Sequence, residues 1–211
     1  MKRYREIEAL RQEYTQRSKT IRSRLAEFAL VPRDEWFFEL AYCLLTPQSS
    51  ARSAALAMQA LRAAGYPETP LDPAPALRGN GYYIRFHLTK SRHLLAAAAR
   101  REEIIDAVAG ARGSDGRELR VWLVREVKGL GWKEASHFLR NIGFQDLAIL
   151  DRHILRNLRR HGVIRAIPAT LPEKRYMAIE RAFLTFAAAA GVSMDELDLV
   201  FWSRETGEIL K

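Results

Sequence analysis

Two glycines one residue apart, Gly129 and Gly131, run directly into a segment with helical patterning. Glycine tolerates left-handed backbone angles and lets a ligand approach the main chain closely. Gly129-Leu130-Gly131 therefore reads as a tight turn. The segment before it, Leu119 to Val127, also has helical character. The helix after it is expected from about Trp132 to Ile142, where Gly143 stops it. The local unit is helix, hairpin, helix, within a region of roughly 115–161. The first amides of a helix have no intrahelical partner, and the dipole presents its positive end there. Such ends bind phosphate. Gly-x-Gly also occurs in ordinary helix connections, so the turn alone specifies a shape rather than a ligand.

The residues after the turn narrow the chemistry. Lys133 falls in the first turn of the expected helix. Asp151 comes after an apolar loop, Gly143 to Leu150, and before a basic helix that starts near Arg152. A helix from Trp132 to Ile142 rises roughly 16 Å, and the loop can extend up to about 26 Å. The chain can therefore return, and Lys133 and Asp151 can face one site. The positive end of the helix dipole disfavours an ammonium and so favours the neutral, nucleophilic amine. Asp151 is a good N-cap for the helix beginning near Arg152. Amides donated to its carboxylate would keep it ionised, which suits stabilising positive charge on a sugar. A phosphate-binding turn, an amine and a carboxylate point to chemistry on DNA. The plainer alternative is a non-catalytic DNA-binding protein with a surface lysine and a capping aspartate.

Charge and length agree with a nucleic-acid partner. The 211 residues carry 34 Lys and Arg against 25 Asp and Glu, a formal charge of +9. That balance favours a polyanion. No apolar run is long enough to span a bilayer, and Met1-Lys2-Arg3 opens a mixed-charge helical pattern rather than a signal peptide. The expectation is a cytoplasmic or nucleoid-associated prokaryotic protein with no membrane partner, acting as a monomer. Cys43 is the single cysteine. It lies in an apolar helix and reads as core. One cysteine can form neither an internal disulfide nor a four-cysteine iron–sulfur cluster. The five histidines lack zinc-motif spacing. No metal and no other cofactor is expected.

The rest of the chain also reads as helix, giving an all-α fold. Tyr4, Ile7, Leu10, Tyr14, Ile21, Leu25 and Phe28 recur at helical spacing in one long amphipathic segment. A buried helix spans about Asp34 to Leu45, and Ser49 or Ser50 caps the next, which reaches Gly65. Pro67, Pro70, Pro73 and Pro75 make an irregular crossing, and the junction between lobes is expected on either side of it. One helix is expected over Thr89 to Val108, and two more over Glu173 to Ala190 and Met194 to Trp202. The N-terminal helix can pack on the C-terminal ones.

The stretch Lys-Gly-Leu-Gly-Trp-Lys-Glu-Ala-Ser-His-Phe-Leu-Arg-Asn, with Ala148-Ile149-Leu150-Asp151-Arg152-His153, resembles the type 2 8-oxoguanine DNA glycosylase/lyases of the helix-hairpin-helix DNA glycosylase superfamily. The loop 144–150 departs from the Gly/Pro-rich loop of the wider superfamily and is similar to the type 2 branch. The resemblance implies a helix-hairpin-helix glycosylase fold over 1–211, a single unit divisible into two helical lobes with the active site between them. It implies Lys133 and Asp151 as catalytic residues, and duplex DNA containing a damaged base as partner. The activity implied is excision of 8-oxoguanine with cleavage of the abasic site. A glycosylase for another damaged base remains the alternative within the class.

The same resemblance implies further residues. In Thr46-Pro47-Gln48-Ser49-Ser50, otherwise a turn and N-cap, Gln48 becomes a candidate for the base pocket or for filling the gap left in the duplex. In Gly81-Tyr82-Tyr83-Ile84-Arg85-Phe86-His87, Phe86 matches a pocket aromatic on which a flipped base could stack. Arg85 and Lys90 are expected at phosphates or in solvent. The ending Trp202-Ser203 to Lys211 matches the family pattern, so Trp202 and Lys211, through a terminal carboxylate, are implied in lesion recognition. Gly129 and Gly131 are the implied phosphate contacts.

Overall fold

The computed structural model describes residues 4–207 and 209. Its described residues form ten α-helices and two short 3-10 turns, with no strand among them. They separate into two compact units. One comprises Pro32–Phe138. The other comprises the described parts of Met1–Val31 and Leu139–Lys211. The boundaries fall at Pro32 and inside a helix, after Phe138, one on each side of the proline-rich stretch. Pro67 to Pro75 lie wholly within the central unit, where the 3-10 turn Pro75–Leu77 buries Leu77. The prolines shape a crossing whose apolar side chains still join the core.

The central unit holds α2 (Trp36–Leu45), α3 (Ala51–Ala63), α4 (His87–Ala99), α5 (Arg101–Gly110), α6 (Arg117–Glu126) and the start of α7 (Trp132–Asn141). α2 is its axis. Leu40 to Leu45 are all buried, and α3, α4 and α5 pack around them. Cys43 is completely buried there. Ser50 caps α3, its Oγ accepting from the Ser53 amide at 3.0 Å.

The single helix expected over Thr89 to Val108 is two, broken at Arg100. Neither glycine nor proline marks the break. The Arg100 guanidinium instead donates to the Glu126 carbonyl at 2.8 Å, satisfying an acceptor that the end of α6 leaves free. A tertiary contact overrides the helical propensity of the alanine run here.

The terminal unit is built from α1 (Ile7–Ala29), the end of α7, α8 (Arg152–Arg160), α9 (Glu173–Ala190) and α10 (Met194–Thr206). α1 buries Leu10, Tyr14, Ile21 and Phe28 along one face and packs on α9 and α10. Polar ties lock this packing. Arg11 donates to the Ala190 carbonyl at the end of α9, and the Tyr14 hydroxyl reaches Glu196. Ser193 and Glu196 form a reciprocal capping box that starts α10.

Candidate nucleic-acid interface and active site

The hairpin between α6 and α7 forms where the glycines predict it. Gly129 has φ 91°, in the region that only glycine enters freely. The turn closes through the Leu130 amide on the Val127 carbonyl at 3.1 Å, with Leu130 buried beneath it. Gly131 does not adopt the left-handed conformation that Gly129 does. It is the start of the helix instead, since its carbonyl accepts from Ala135 at 2.9 Å. The His93 ring of α4 stands against Gly129, and a Cβ there would lie 2.2 Å from His93 Nδ1. Burial first, then the charges of Lys128, Arg92 and Lys90, hold His93 below its ordinary range. The imidazole against the turn therefore tends to be neutral.

Arg120 supports this hairpin from below, a role the sequence did not signal. It is 1 % exposed, donates to Ser136 Oγ at 3.1 Å and lies over the Trp132 ring at 5.5 Å. An interior arginine joining α6 to α7 fixes the angle at which α7 leaves the turn. Lys133 sits one residue into α7, half-buried, with Nζ 3.1 Å from Glu134 Oε1.

Gln48 and Phe86 come together in the central unit. Gln48 is exposed at φ 55° just after α2, and Phe86 is 51 % exposed at φ 60°, the N-cap of α4. They line one open cavity of about 740 Å³ with Ser49, Tyr83, Arg85 and Arg92. Arg85 is exposed, its guanidinium 5.1 Å from the Phe86 ring centre. Lys90 differs from its expected place at a phosphate or in solvent. It is 5 % exposed, and Nζ donates to the carbonyls of Leu45 and Pro47 at 2.7 and 2.6 Å. Burial, and next the charge of Lys133, lower its pKa to about 8 against an opposing effect from Glu134.

Asp151 and Trp202 belong to the terminal unit. Asp151 caps α8, one carboxylate oxygen accepting from the amides of His153 and Ile154, each at 2.8 Å. The His153 ring packs against Trp202 of α10, with centroids 5.5 Å apart. His153 thus links the start of α8 to the indole, a connection between distant parts of the sequence that no local pattern revealed. Deeper in this unit lie Asp195 and Asp198. Burial drives Asp195 up to about 6 and Asp198 up to about 7. Arg140, 3.7 Å from Asp198, opposes the shift, whereas the charge of Asp151 adds to it. Lys211 lies outside the described residues. Among the described residues no group of three or more His, Cys, Asp or Glu is arranged to hold a metal. No single helix among them is long and apolar enough to cross a membrane.

An all-helical chain with a glycine hairpin leading into a lysine-bearing helix defines a helix-hairpin-helix protein. The family model described as 8-oxoguanine DNA glycosylase matches residues 21–192. The 8-oxoguanine DNA glycosylase/AP lyase of Korarchaeum cryptofilum is 37% identical over 192 residues, covering 90% of each chain. The crystal structure of Methanocaldococcus jannaschii 8-oxoguanine DNA glycosylase matches with a TM-score of 0.84 and 31% identity, over 97% of this chain and 95% of that one. The Methanocaldococcus jannaschii 8-oxoguanine glycosylase/lyase in complex with 15mer DNA containing 8-oxoguanine matches with a TM-score of 0.81 and 31% identity, over 96% of this chain and all of that one. The chain belongs to the 8-oxoguanine DNA glycosylase family.

Proposed function

We propose that this chain is a bifunctional DNA repair glycosylase. It excises 8-oxoguanine from duplex DNA and cleaves the resulting abasic site by β-elimination through a Schiff base on Lys133. The observation that carries this reading is Lys133, one residue into the helix that leaves the glycine hairpin. It occurs in a chain 37% identical to an 8-oxoguanine DNA glycosylase/AP lyase. The hairpin at Gly129 and Gly131 anchors a phosphate on backbone amides. The damaged nucleotide leaves the stack, because its glycosidic bond is inaccessible in the duplex. Gln48, Phe86, Trp202 and Lys211 recognise the base, with the exposed ring of Phe86 as a stacking surface.

Departure of the base builds positive charge on the sugar, which the capped carboxylate of Asp151 stabilises. The Lys133 amine attacks the anomeric carbon, and ring opening gives the imine. Glu134, 3.1 Å from Nζ, is within reach of the proton the amine must shed. The imine acidifies the adjacent sugar C–H. Loss of that proton expels the 3′ phosphate and breaks the strand. The protein acts as a monomer without cofactor, in the cytoplasm or on the nucleoid.

Borohydride trapping on duplex containing 8-oxoguanine tests the lyase step. Wild type is expected to give a covalent product, and Lys133→Gln to give none while still binding duplex. Undiminished trapping in the variant rules out Lys133 as the Schiff-base residue. Trapping absent in both rules out the Schiff-base lyase step on this lesion, and absence of excision on every lesion tested as well identifies a non-catalytic DNA-binding protein. A panel of oxidised purines, oxidised pyrimidines and alkylated bases separates 8-oxoguanine from other lesions.

A further inference from the structure

Gln48 and Phe86 share a support that is neither of them. Both hold left-handed backbone angles, φ 55° and 60°. For a residue with a side chain such angles are strained and persist only where the surroundings impose them. The surroundings here converge on Lys90. Its Nζ donates to Leu45 O at 2.7 Å, to Pro47 O at 2.6 Å and to Ser49 Oγ at 3.2 Å. These acceptors are the end of α2 and both neighbours of Gln48. The Lys90 amide donates to the Phe86 carbonyl at 3.0 Å, so the same residue forms the first turn that Phe86 caps. Ser49 Oγ also accepts from the Arg85 amide at 3.0 Å. One ammonium therefore joins segment 45–49 to segment 85–86, two stretches far apart in sequence.

We propose that Lys90 is the positioning residue of the base pocket, its buried ammonium fixing Gln48 and Phe86 as one preformed surface. This rests on the reading of Gln48 and Phe86 as base contacts. Lysine suits the task because an ammonium has three donors and no acceptor, and three oxygens face it here. Surface solvation would require none of these bonds, and phosphate binding would require an exposed amine. Preforming the surface removes from the flipped base the cost of ordering two loops.

The test compares two reactions of one preparation: single-turnover excision of 8-oxoguanine from duplex, and borohydride trapping on a preformed abasic site. Trapping needs Lys133 but has no base to recognise. In Lys90→Met the quotient of excision to trapping is expected to fall by at least about tenfold, since a misplacement of about 1 Å can cost about 100-fold. Ser49→Ala removes one acceptor and the link to Arg85 without touching a charge. It should lower the same quotient by a smaller factor, and it carries the test if Lys90→Met does not fold. An unchanged quotient in the folded variants overturns the proposal. That includes excision and trapping falling together, which would place the influence of Lys90 on Lys133 or on the fold. Gln48→Ala and Phe86→Ala are measured alongside. If both leave the quotient unchanged, the base-contact reading fails. If they lower it and the folded Lys90 and Ser49 variants do not, only the positioning role fails.

Discussion

The buried carboxylate of Glu180 accepts a hydrogen bond from the backbone amide of Ala148 at 2.8 Å, just upstream of Asp151. It belongs to a set of ties from α9 and α10 to the loop that delivers the aspartate. The Tyr176 hydroxyl donates to the Ala148 carbonyl at 2.5 Å and accepts from the Leu150 amide at 3.3 Å. Asp195 accepts from the Asp146 amide at 3.0 Å. Leu147 to Leu150 are buried, so their amides and carbonyls need partners inside the protein. Tyr176→Phe removes one hydroxyl that serves two backbone groups. It is expected to cost about 1–3 kcal/mol of stability and to slow excision severalfold. If the hydroxyl acts through Asp151, the excision effect disappears in an Asp151→Asn background. Urea unfolding and single-turnover excision of the four variants in the cycle decide this. A full effect persisting in the Asn background would mean Tyr176 does not act through Asp151.

Asp151→Asn separates capping from charge. Asparagine caps helices about as well as aspartate, so unfolding stability should change by less than about 1 kcal/mol. The negative charge proposed to stabilise the sugar cation is lost, and single-turnover excision should fall by about 100-fold or more. Excision at the wild-type rate would leave Asp151 as a cap alone.

The sequence made the hairpin, Lys133 and the Asp151 cap legible because each is a local device. A glycine pair, a first-turn residue and an N-cap are specified within a few positions, and the structure forms Gly129 at φ 91° and the Asp151 cap on Ile154 accordingly. The helical class was legible from apolar spacing, as in Leu10, Tyr14, Ile21 and Phe28. The features that stayed hidden depend on contacts between distant segments. Lys90 looks like a surface lysine in sequence, since its three acceptors lie on a segment far upstream. Arg120 lies on the charged helix α6 and gives no sign of burial. The break at Arg100 depends on a carbonyl of α6.

The two hairpin glycines should respond differently. A side chain at Gly129 meets both a left-handed φ and the His93 ring at 2.2 Å. At Gly131 a Cβ meets only the flexible carboxylate of Glu134 at 3.0 Å. Gly129→Val should therefore distort the turn and weaken duplex binding by at least about tenfold, or about 1.4 kcal/mol, for lesion and undamaged DNA alike. Gly131→Ala should change affinity less, but alter the rate of imine trapping because Glu134 also pairs with Lys133. Fluorescence anisotropy with both duplexes, after checking helix content, measures the first effect. Normal binding by folded Gly129→Val would show that the hairpin is not the phosphate anchor.

Stability should carry the signature of Asp198. Burial, with help from the charges of Asp151 and Asp195, pushes its pKa to about 7 despite Arg140 at 3.7 Å. An aspartate raised in the folded state binds its proton more tightly there than in the unfolded chain. Between the ordinary aspartate value and about pH 7 the native state therefore holds more protons, and stability falls as pH rises through that window. Asp195, raised to about 6, acts in the same direction over a narrower range. Asp198→Asn abolishes the first contribution. The variant should gain stability relative to wild type on going from about pH 5 to about pH 8, by on the order of 2 kcal/mol. Arg140 does not reverse this sign, because at the lower pH it already faces a mostly protonated Asp198. Urea unfolding of both proteins at the two pH values gives the difference directly. A constant offset would show that Asp198 is already ionised at the lower pH and that its pairing with Arg140 outweighs burial.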